Sequence, residues 1–279
     1  MLLTEVSNNR AGSDLSRRLL LVFCTLILVA CQIGALCAAE PQEQIGVVLL
    51  HGKTSRPEQH IGMLIGPLKH EHYLVEVPEM PWSYRRYLTA DYDTALTEID
   101  RAVEKLKRRG ATRIIVAGHS MGANAALAYA ATRRNVAGAI LLAPGHFPDL
   151  LASRFAPDVA TAKEMVRSGH GGKSACFHDV NQGTMLMPCT KAAVYVSYFD
   201  PEGLGAMSKT ASQLSSQIPL LYVVGKQDIH FSDGPSIFEK APHNPLSRYV
   251  VVDAGHIDTP SAAISEVTSW LHSLQASEP

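Results

Sequence analysis

The pentapeptide Gly118-His119-Ser120-Met121-Gly122 constrains this chain more than any other stretch, because of what flanks it. Arg113-Ile114-Ile115-Val116-Ala117 before it is β-branched and apolar, the composition of a strand buried on both faces. Ala123 through Thr132 after it is an alanine-rich run of strong helix formers. Strand, G-x-S-x-G turn and helix in direct succession predict a sharp elbow in which neither element absorbs the serine hydroxyl. Oγ of Ser120 is then presented at the carboxyl end of a central strand. The flanking glycines let the chain turn tightly without a Cβ clash. Ser120 is therefore a candidate nucleophile.

Three more strand ends carry chemistry. Ile45-Gly46-Val47-Val48-Leu49-Leu50 reads as a buried strand running into His51-Gly52-Lys53. Pro219-Leu220-Leu221-Tyr222-Val223-Val224 reads as another, ending in Gly225-Lys226-Gln227-Asp228. Tyr249-Val250-Val251-Val252 leads into Asp253-Ala254-Gly255-His256. The order Ser…Asp…His, each at the carboxyl end of a strand, resembles the triad order of the α/β-hydrolase superfamily. The early His-Gly pair resembles that family's oxyanion loop, and the likeness spans about residues 45–275.

The resemblance implies an α/β architecture, the α/β-hydrolase fold, with a mostly parallel central sheet, helices on both faces and a lid insertion. It implies Ser120 as nucleophile, His256 as general base and then acid, and Asp228 as the group orienting the imidazole. The backbone amides of Met121 and Lys53 would form the oxyanion hole, with His51 supporting the loop by hydrogen bonding. Read from the residues alone, Asp233 and Asp253 compete with Asp228. Asp253 lies only three residues from His256, a poor reach, and Asp233 shares the loop of Asp228. Gly-x-x-Asp directly after a strand matches the family pattern and favours Asp228.

The rest of the chain alternates strand and helix, the pattern of a parallel sheet with crossover helices. Ser55–Leu68 is expected to be a short helix and Tyr73–Val77 a strand. Thr94–Arg109 has helical spacing, with Ala95, Ile99, Val103 and Leu106 on one face, and Gly110 stops it. Val136–Ala143 is the next strand, and Ser261–Leu274 closes the chain as an amphipathic helix with Ile264, Val267, Trp270 and Leu271 inward.

Alternation lapses at about residues 146–218, a stretch far longer than an ordinary connection. In the family this is the position of the lid, which would set specificity and exclude water. It holds the glycines Gly169, Gly171 and Gly172, the aromatics Phe177, Tyr195, Tyr198 and Phe199, and an Asn181-Gln182-Gly183 turn. His170 and His178 read as surface histidines, as does the His70-Glu71-His72 turn, which lacks the i, i+4 spacing of a metal half-site. Neither a metal nor a cofactor is expected.

The first forty residues differ in kind. Arg17-Arg18 precedes Leu19–Ala30, an uncharged apolar run that continues weakly to Leu36 and then Cys37-Ala38-Ala39. A positive flank, an apolar stretch and small residues before Glu40-Pro41 describe an export signal over residues 1–39, cleaved after Ala39. An uncleaved membrane anchor through residues 19–36 fits the same composition. So does a lipoprotein box at Leu28-Val29-Ala30-Cys31 that would lipidate Cys31. All three place the hydrolase domain, residues 40–279, outside the cytoplasm, periplasmic or secreted.

Three of the five cysteines lie in that segment, leaving Cys176 and Cys189 to pair in an oxidising compartment. Their disulfide would close a loop worth roughly 3 kcal/mol in the chain-entropy model. With 25 basic and 26 acidic residues and no basic stripe, nucleic acid is not an expected partner. The expected partner is a small-molecule acyl substrate, an ester or thioester. A serine peptidase or amidase on the same fold, and a binding protein that has lost turnover, are the alternatives, since fold alone does not give function.

Overall fold

The four inner strands of the six-stranded central sheet are short, apolar and nearly all buried, and their side chains alternate between two separate cores. The computed structural model describes residues 43–276; the expected export signal, residues 19–36 and Cys31 lie outside them. The chain runs through β1 (Ile45–Leu50), a 3-10 turn (Ile61–Leu64), α1 (Ile65–His70), β2 (Leu74–Glu76), α2 (Tyr92–Arg108), β3 (Arg113–Ser120), α3 (Met121–Arg133) and β4 (Gly138–Pro144). Next come α4 (Ala152–Arg167), four short strands, β5 (Ser174–Cys176), β6 (Asp179–Asn181), β7 (Thr184–Leu186) and β8 (Cys189–Lys191), then α5 (Ala192–Phe199) and α6 (Met207–Ser212). The chain then returns to the sheet with β9 (Leu220–Gly225), α7 (Gly234–Phe238), β10 (Arg248–Val252), α8 (Thr259–Ala262) and α9 (Ile264–Gln275).

The sheet order is β10-β9-β4-β3-β1-β2, and every pairing in it is parallel. A parallel sheet needs both faces covered. Ile45, Val47, Leu49, Ile115, Ala117, Ile140 and Leu142 join the core that Val267, Trp270 and Leu271 of α9 complete. Val48, Leu50, Ile114 and Val116 point the other way, into the core shared with α2 and α3. The period of two along each strand sorts them. Chain order reverses between β1 and β3, and in open α/β sheets the crevice at such a point takes ligands.

At the elbow, α3 begins directly after β3 and lies against the end of β1. A Cβ on Gly122 would sit 2.1 Å from the carbonyl oxygen of Leu50 and 2.7 Å from that of His51. Only glycine allows the helix to start that close. Ser120 itself is held at φ 56, ψ −119, a region that costs a non-glycine residue of order 1–3 kcal/mol.

Three local expectations are corrected. Residues 55–60 are turns rather than the first half of a helix over Ser55–Leu68, and the helix runs on to His70. Thr54 and His60 have positive φ, and the backbone between them is engaged elsewhere: Thr54 N–H donates to Trp82 O at 2.8 Å and Tyr84 N–H to Ser55 O at 3.0 Å. The edge strand β2 is three residues, shorter than Tyr73–Val77. The closing helix breaks at Ala263 into α8 and α9, which leaves Ile264 only partly buried while Val267, Trp270 and Leu271 face inward.

The insertion between β4 and β9 is mixed rather than purely helical. Two antiparallel ribbons, β5–β8 and β6–β7, sit one inside the other in sequence. Cys176 and Cys189 are directly paired in the outer ribbon and form a disulfide. The inner hairpin turns at Gln182-Gly183, both at positive φ, as a two-residue loop twisted with its strands requires.

Gly122→Ala should cost more than the roughly 1–3 kcal/mol of ordinary overpacking, because the clash is with backbone rather than a movable side chain. Urea unfolding of the purified domain measures this; a loss below 1 kcal/mol would mean that α3 can retreat from β1.

Candidate active site

Loops at the carboxyl ends of β1, β3, β4, β9 and β10 meet above the sheet. His256, after β10, turns Nδ1 to Oδ2 of Asp228 at 2.8 Å, and both side chains are buried. A carboxylate only accepts, so Nδ1 carries the proton and Nε2 presents its lone pair. Nε2 is itself buried and has no hydrogen-bond partner among the described residues. Beside it stands Ser120 at the elbow: a Cβ on Gly145 would lie 2.8 Å from Ser120 Oγ and 3.6 Å from His256 Cε1. A side chain at position 145 would fill the space that the two groups share.

Asp228 Oδ1 accepts the backbone N–H of His230 at 2.9 Å. Burial pushes the Asp228 carboxyl up, but the hydrogen bond and charge of His256 and the His230 amide outweigh it and hold it below the usual carboxylate range. The competing acids are occupied elsewhere. Asp233 Oδ2 meets His230 Nδ1 at 3.0 Å, and Asp253 Oδ1 accepts from Gln227 Nε2 at 2.6 Å. The structure therefore brings together Ser120, Asp228 and His256 and leaves Asp233 and Asp253 outside.

Two further histidines frame the dyad as neutral rings. His119 lies behind Ser120 and donates Nε2–H to the carbonyl of His256 at 2.9 Å, its ring 5.0 Å from that of His256. Burial, helped by the charge of His256, pushes its pKa down to about 3. His146 follows Gly145 at φ 68 and donates from Nε2 to Tyr198 O at 2.9 Å. Burial, then the charge of Lys53, lowers it to about 3 as well.

The loop after β1 is braced from one side by His51. Its Nε2 accepts the Met80 amide at 3.0 Å, which leaves Nδ1–H to donate to Gly52 O at 2.8 Å, while Trp82 Nε1 donates to His51 O at 2.8 Å. From the other side comes an arrangement that the sequence reading missed. Lys53 Nζ reaches the buried carboxylate of Asp179 at 2.7 Å and Val180 O at 3.2 Å, and lies 5.6 Å from the centre of the Phe199 ring. Burial raises the Asp179 carboxyl, and the charge of Lys53 with the hydrogen bonds from Lys53 and Tyr87 brings it below the usual range.

Asn124, one turn into α3, is also a surprise in an alanine-rich run. It accepts the Tyr92 hydroxyl and donates to His146 O at 2.6 Å and Gly205 O at 2.7 Å, tying the helix to the loops beside the site. A buried asparagine among alanines is the only sequence signal that it gave.

A cavity of about 130 Å³ opens at Ser120 and His256. Met121 and Phe147 line it, and the insertion adds Phe155, Asp179 and Phe199. A second cleft, about 170 Å³, lies across Ser120 and is polar, lined by Gly52, Thr54, His60 and His119 among others. His170 and His178 stand on the exposed surface, where His178 Nδ1 pairs with Asp158 at 2.9 Å. Glu71 likewise meets His272 Nε2 at 2.9 Å on the surface.

The comparisons agree with this fold. A model of the alpha/beta hydrolase family matches residues 47–267, and the chain belongs to that family. No curated protein sequence matches it. Among solved structures, one from work on the metagenome-derived lipolytic enzymes LipS and LipT is 15% identical, with a TM-score of 0.59 over 83% of this chain and 94% of that one. Est1E from Butyrivibrio proteoclasticus is 16% identical, with a TM-score of 0.58 over 86% and 91%. A thermostable carboxyl esterase from Bacillus coagulans is 16% identical, with a TM-score of 0.59 over 84% and 90%. At such identities the likeness is one of fold.

The neutral His119 sets an acid limit on stability. Its folded pKa, about 3, lies below the unfolded value near 6.5, so the unfolded chain gains a proton first as pH falls. The stability is fully present above pH 6.5 and drains away toward pH 3. Between pH 7 and 5 the loss from this residue should be on the order of 2 kcal/mol, read as the difference in urea-unfolding free energy between wild type and His119→Gln at the two pH values. A variant with the same pH slope as wild type would show that His119 titrates normally.

Proposed function

We propose that this chain is an exported serine hydrolase of the carboxylesterase type, cleaving an ester or thioester of a short acyl group. The observation that carries the reading is the strained Ser120 beside a buried His256 whose Nδ1 is fixed by Asp228 and whose Nε2 is unengaged. Export is supported by the composition of residues 1–39.

Ser120 Oγ attacks the acyl carbon as His256 Nε2 takes its proton. A serine hydroxyl is a weak nucleophile until such a base acts. Asp228 keeps the imidazole in the required tautomer and stabilises the imidazolium. The oxyanion sits against the amide N–H groups of Met121, at the open N-terminus of α3, and of Lys53. His256 returns the proton to the leaving alcohol or thiol as the acyl–oxygen or acyl–sulfur bond breaks. Water then enters, loses a proton to His256, attacks the acyl-serine and restores the hydroxyl.

Cavity size narrows the substrate. An apolar cavity of about 150 Å³ holds a benzene ring, and drug-sized ligands occupy roughly 300–1,000 Å³. At about 130 Å³, with Met121, Phe147, Phe155 and Phe199 as its apolar lining beside polar groups such as Arg154 and Asn181, the pocket suits an acyl chain of up to about six carbons.

Hydrolysis of p-nitrophenyl esters from acetate to decanoate should peak between the acetate and hexanoate and fall at least tenfold by the decanoate. Ser120→Ala should lower turnover by on the order of 10⁴–10⁶. No turnover by folded wild-type protein on any of these esters would remove the esterase reading.

The two neighbouring acids separate cleanly. Asp228→Asn should drop kcat by about 10⁴, as loss of the orienting carboxylate does elsewhere, while Asp233→Asn stays within threefold. Equal modest losses would show that neither aspartate orients the base.

A further inference from the structure

We infer that Lys53 and Asp179 are positioning residues, and that their ion pair fixes the oxyanion loop from the insertion hairpin, making β6–β7 part of the catalytic apparatus. The inference rests on the reading of the Lys53 amide as an oxyanion donor. Three bonds join consecutive loop residues to the hairpin. Lys53 Nζ holds Asp179 Oδ1 at 2.7 Å and Val180 O at 3.2 Å, and Thr54 Oγ1 accepts from Asn181 Nδ2 at 2.9 Å.

The hairpin end is itself anchored. Asp179 also accepts the Tyr87 hydroxyl and the Val180 amide at 2.6 Å. Phe177 N–H donates to Pro188 O at 3.0 Å, and the disulfide closes the outer ribbon around it. On the opposite flank the loop is tied to His51, Met80, Trp82 and Tyr84. The amide of residue 53 is thus suspended between two fixed walls.

Stability alone does not explain a charge pair in this place. Lys53 is 8% and Asp179 0% exposed, and apolar residues of similar volume often hold a buried site as well or better. An ammonium with two fixed acceptors supplies what apolar packing lacks, a defined direction and distance for the chain that carries it. A misplacement of about 1 Å at a reacting centre can cost 10²-fold in rate.

The test uses Lys53→Met, Asp179→Leu and the double variant, each assayed on the best ester at a temperature where circular dichroism shows it folded. Each single substitution strands a buried charge and should lower both Tm and kcat, the latter by 10- to 100-fold with KM within threefold. The double variant should regain Tm yet keep kcat at least tenfold down. Recovery of wild-type kcat in the double variant would reduce the pair to a brace and overturn the inference. So would a rise in KM at unchanged kcat, which marks a substrate contact.

Cys176→Ser/Cys189→Ser provides a second reading that leaves the pair and the triad chemically intact. It should lower kcat several-fold at constant KM, and an unchanged kcat would count against the hairpin's role. Absence of Ser120-dependent turnover in wild type would instead fell the hydrolase reading, so the two failures are distinguishable.

Discussion

The approach of Gly122 to the Leu50 carbonyl is the contact on which the site depends. Because the second residue of α3 has no side chain, the helix starts against the end of β1 rather than a side chain's width away. That proximity sets three things at once. It brings the first amides of α3, at the positive end of the helix dipole, beside the loop that leaves β1, the place proposed for the oxyanion. It forces Ser120 into a strained turn, so its hydroxyl stands free of both strand and helix. It also places that hydroxyl at the reversal of strand order, where loops from both halves of the sheet converge. The strain is tolerable because β3 is buried along nearly its whole length and α3 is buried through its first eleven residues.

Buried polar groups divide the work around this point. A polar group taken from water without a partner costs more than a hydrogen bond returns, and here almost every one has a partner chosen by geometry. His51 and Asn124 are satisfied chiefly by backbone carbonyls and amides of the loops they fix, and His119 bonds through Nε2 to the His256 carbonyl. The charge of Asp179 is met by Lys53 and that of Asp228 by two donors, the ring of His256 and the backbone N–H of His230. Among the described residues, His119 Nδ1 and His256 Nε2 are both unpaired near Ser120, and the latter is the atom that the proposed proton transfer needs unengaged. Rigid neighbours and one free lone pair are what a preorganised base requires.

The sheet, the elbow and the order of site residues were legible because each has a local cause. Five of the six strands are apolar runs bounded by turn residues, and a G-x-S-x-G elbow cannot be buried in either neighbouring element. Asp228 was favoured over Asp233 because Gly-x-x-Asp directly after a strand matches the family pattern; in the structure Asp228, three residues past β9, reaches His256, whereas Asp233 precedes α7 and meets His230. The Gln182-Gly183 turn and the pairing of Cys176 with Cys189 were also visible. What escaped was held by long-range contact. Lys53 was read for its backbone, since its side-chain partner lies 126 residues away. Residues 55–60 resembled a helix until Trp82 and Tyr84 took their backbone groups. Local propensity has no means of anticipating either.

The division between sheet and insertion has a consequence for how such a site can vary. The proposed nucleophile, base and orienting carboxylate, Ser120, His256 and Asp228, all follow strand ends, whose positions the two cores fix. The cavity walls come largely from the segment between β4 and β9, which makes few demands on the sheet and can change length or composition without disturbing the triad. Lys53 and Thr54 are where that independence fails. They belong to the β1 loop yet bond to the hairpin, so a hairpin that moves to admit a larger acyl group pulls on the loop that carries the proposed oxyanion donor. On the proposed mechanism, substrate size and transition-state stabilisation are then coupled through the buried Lys53–Asp179 pair. A wider pocket would require either a new partner for Lys53 or an apolar residue in its place.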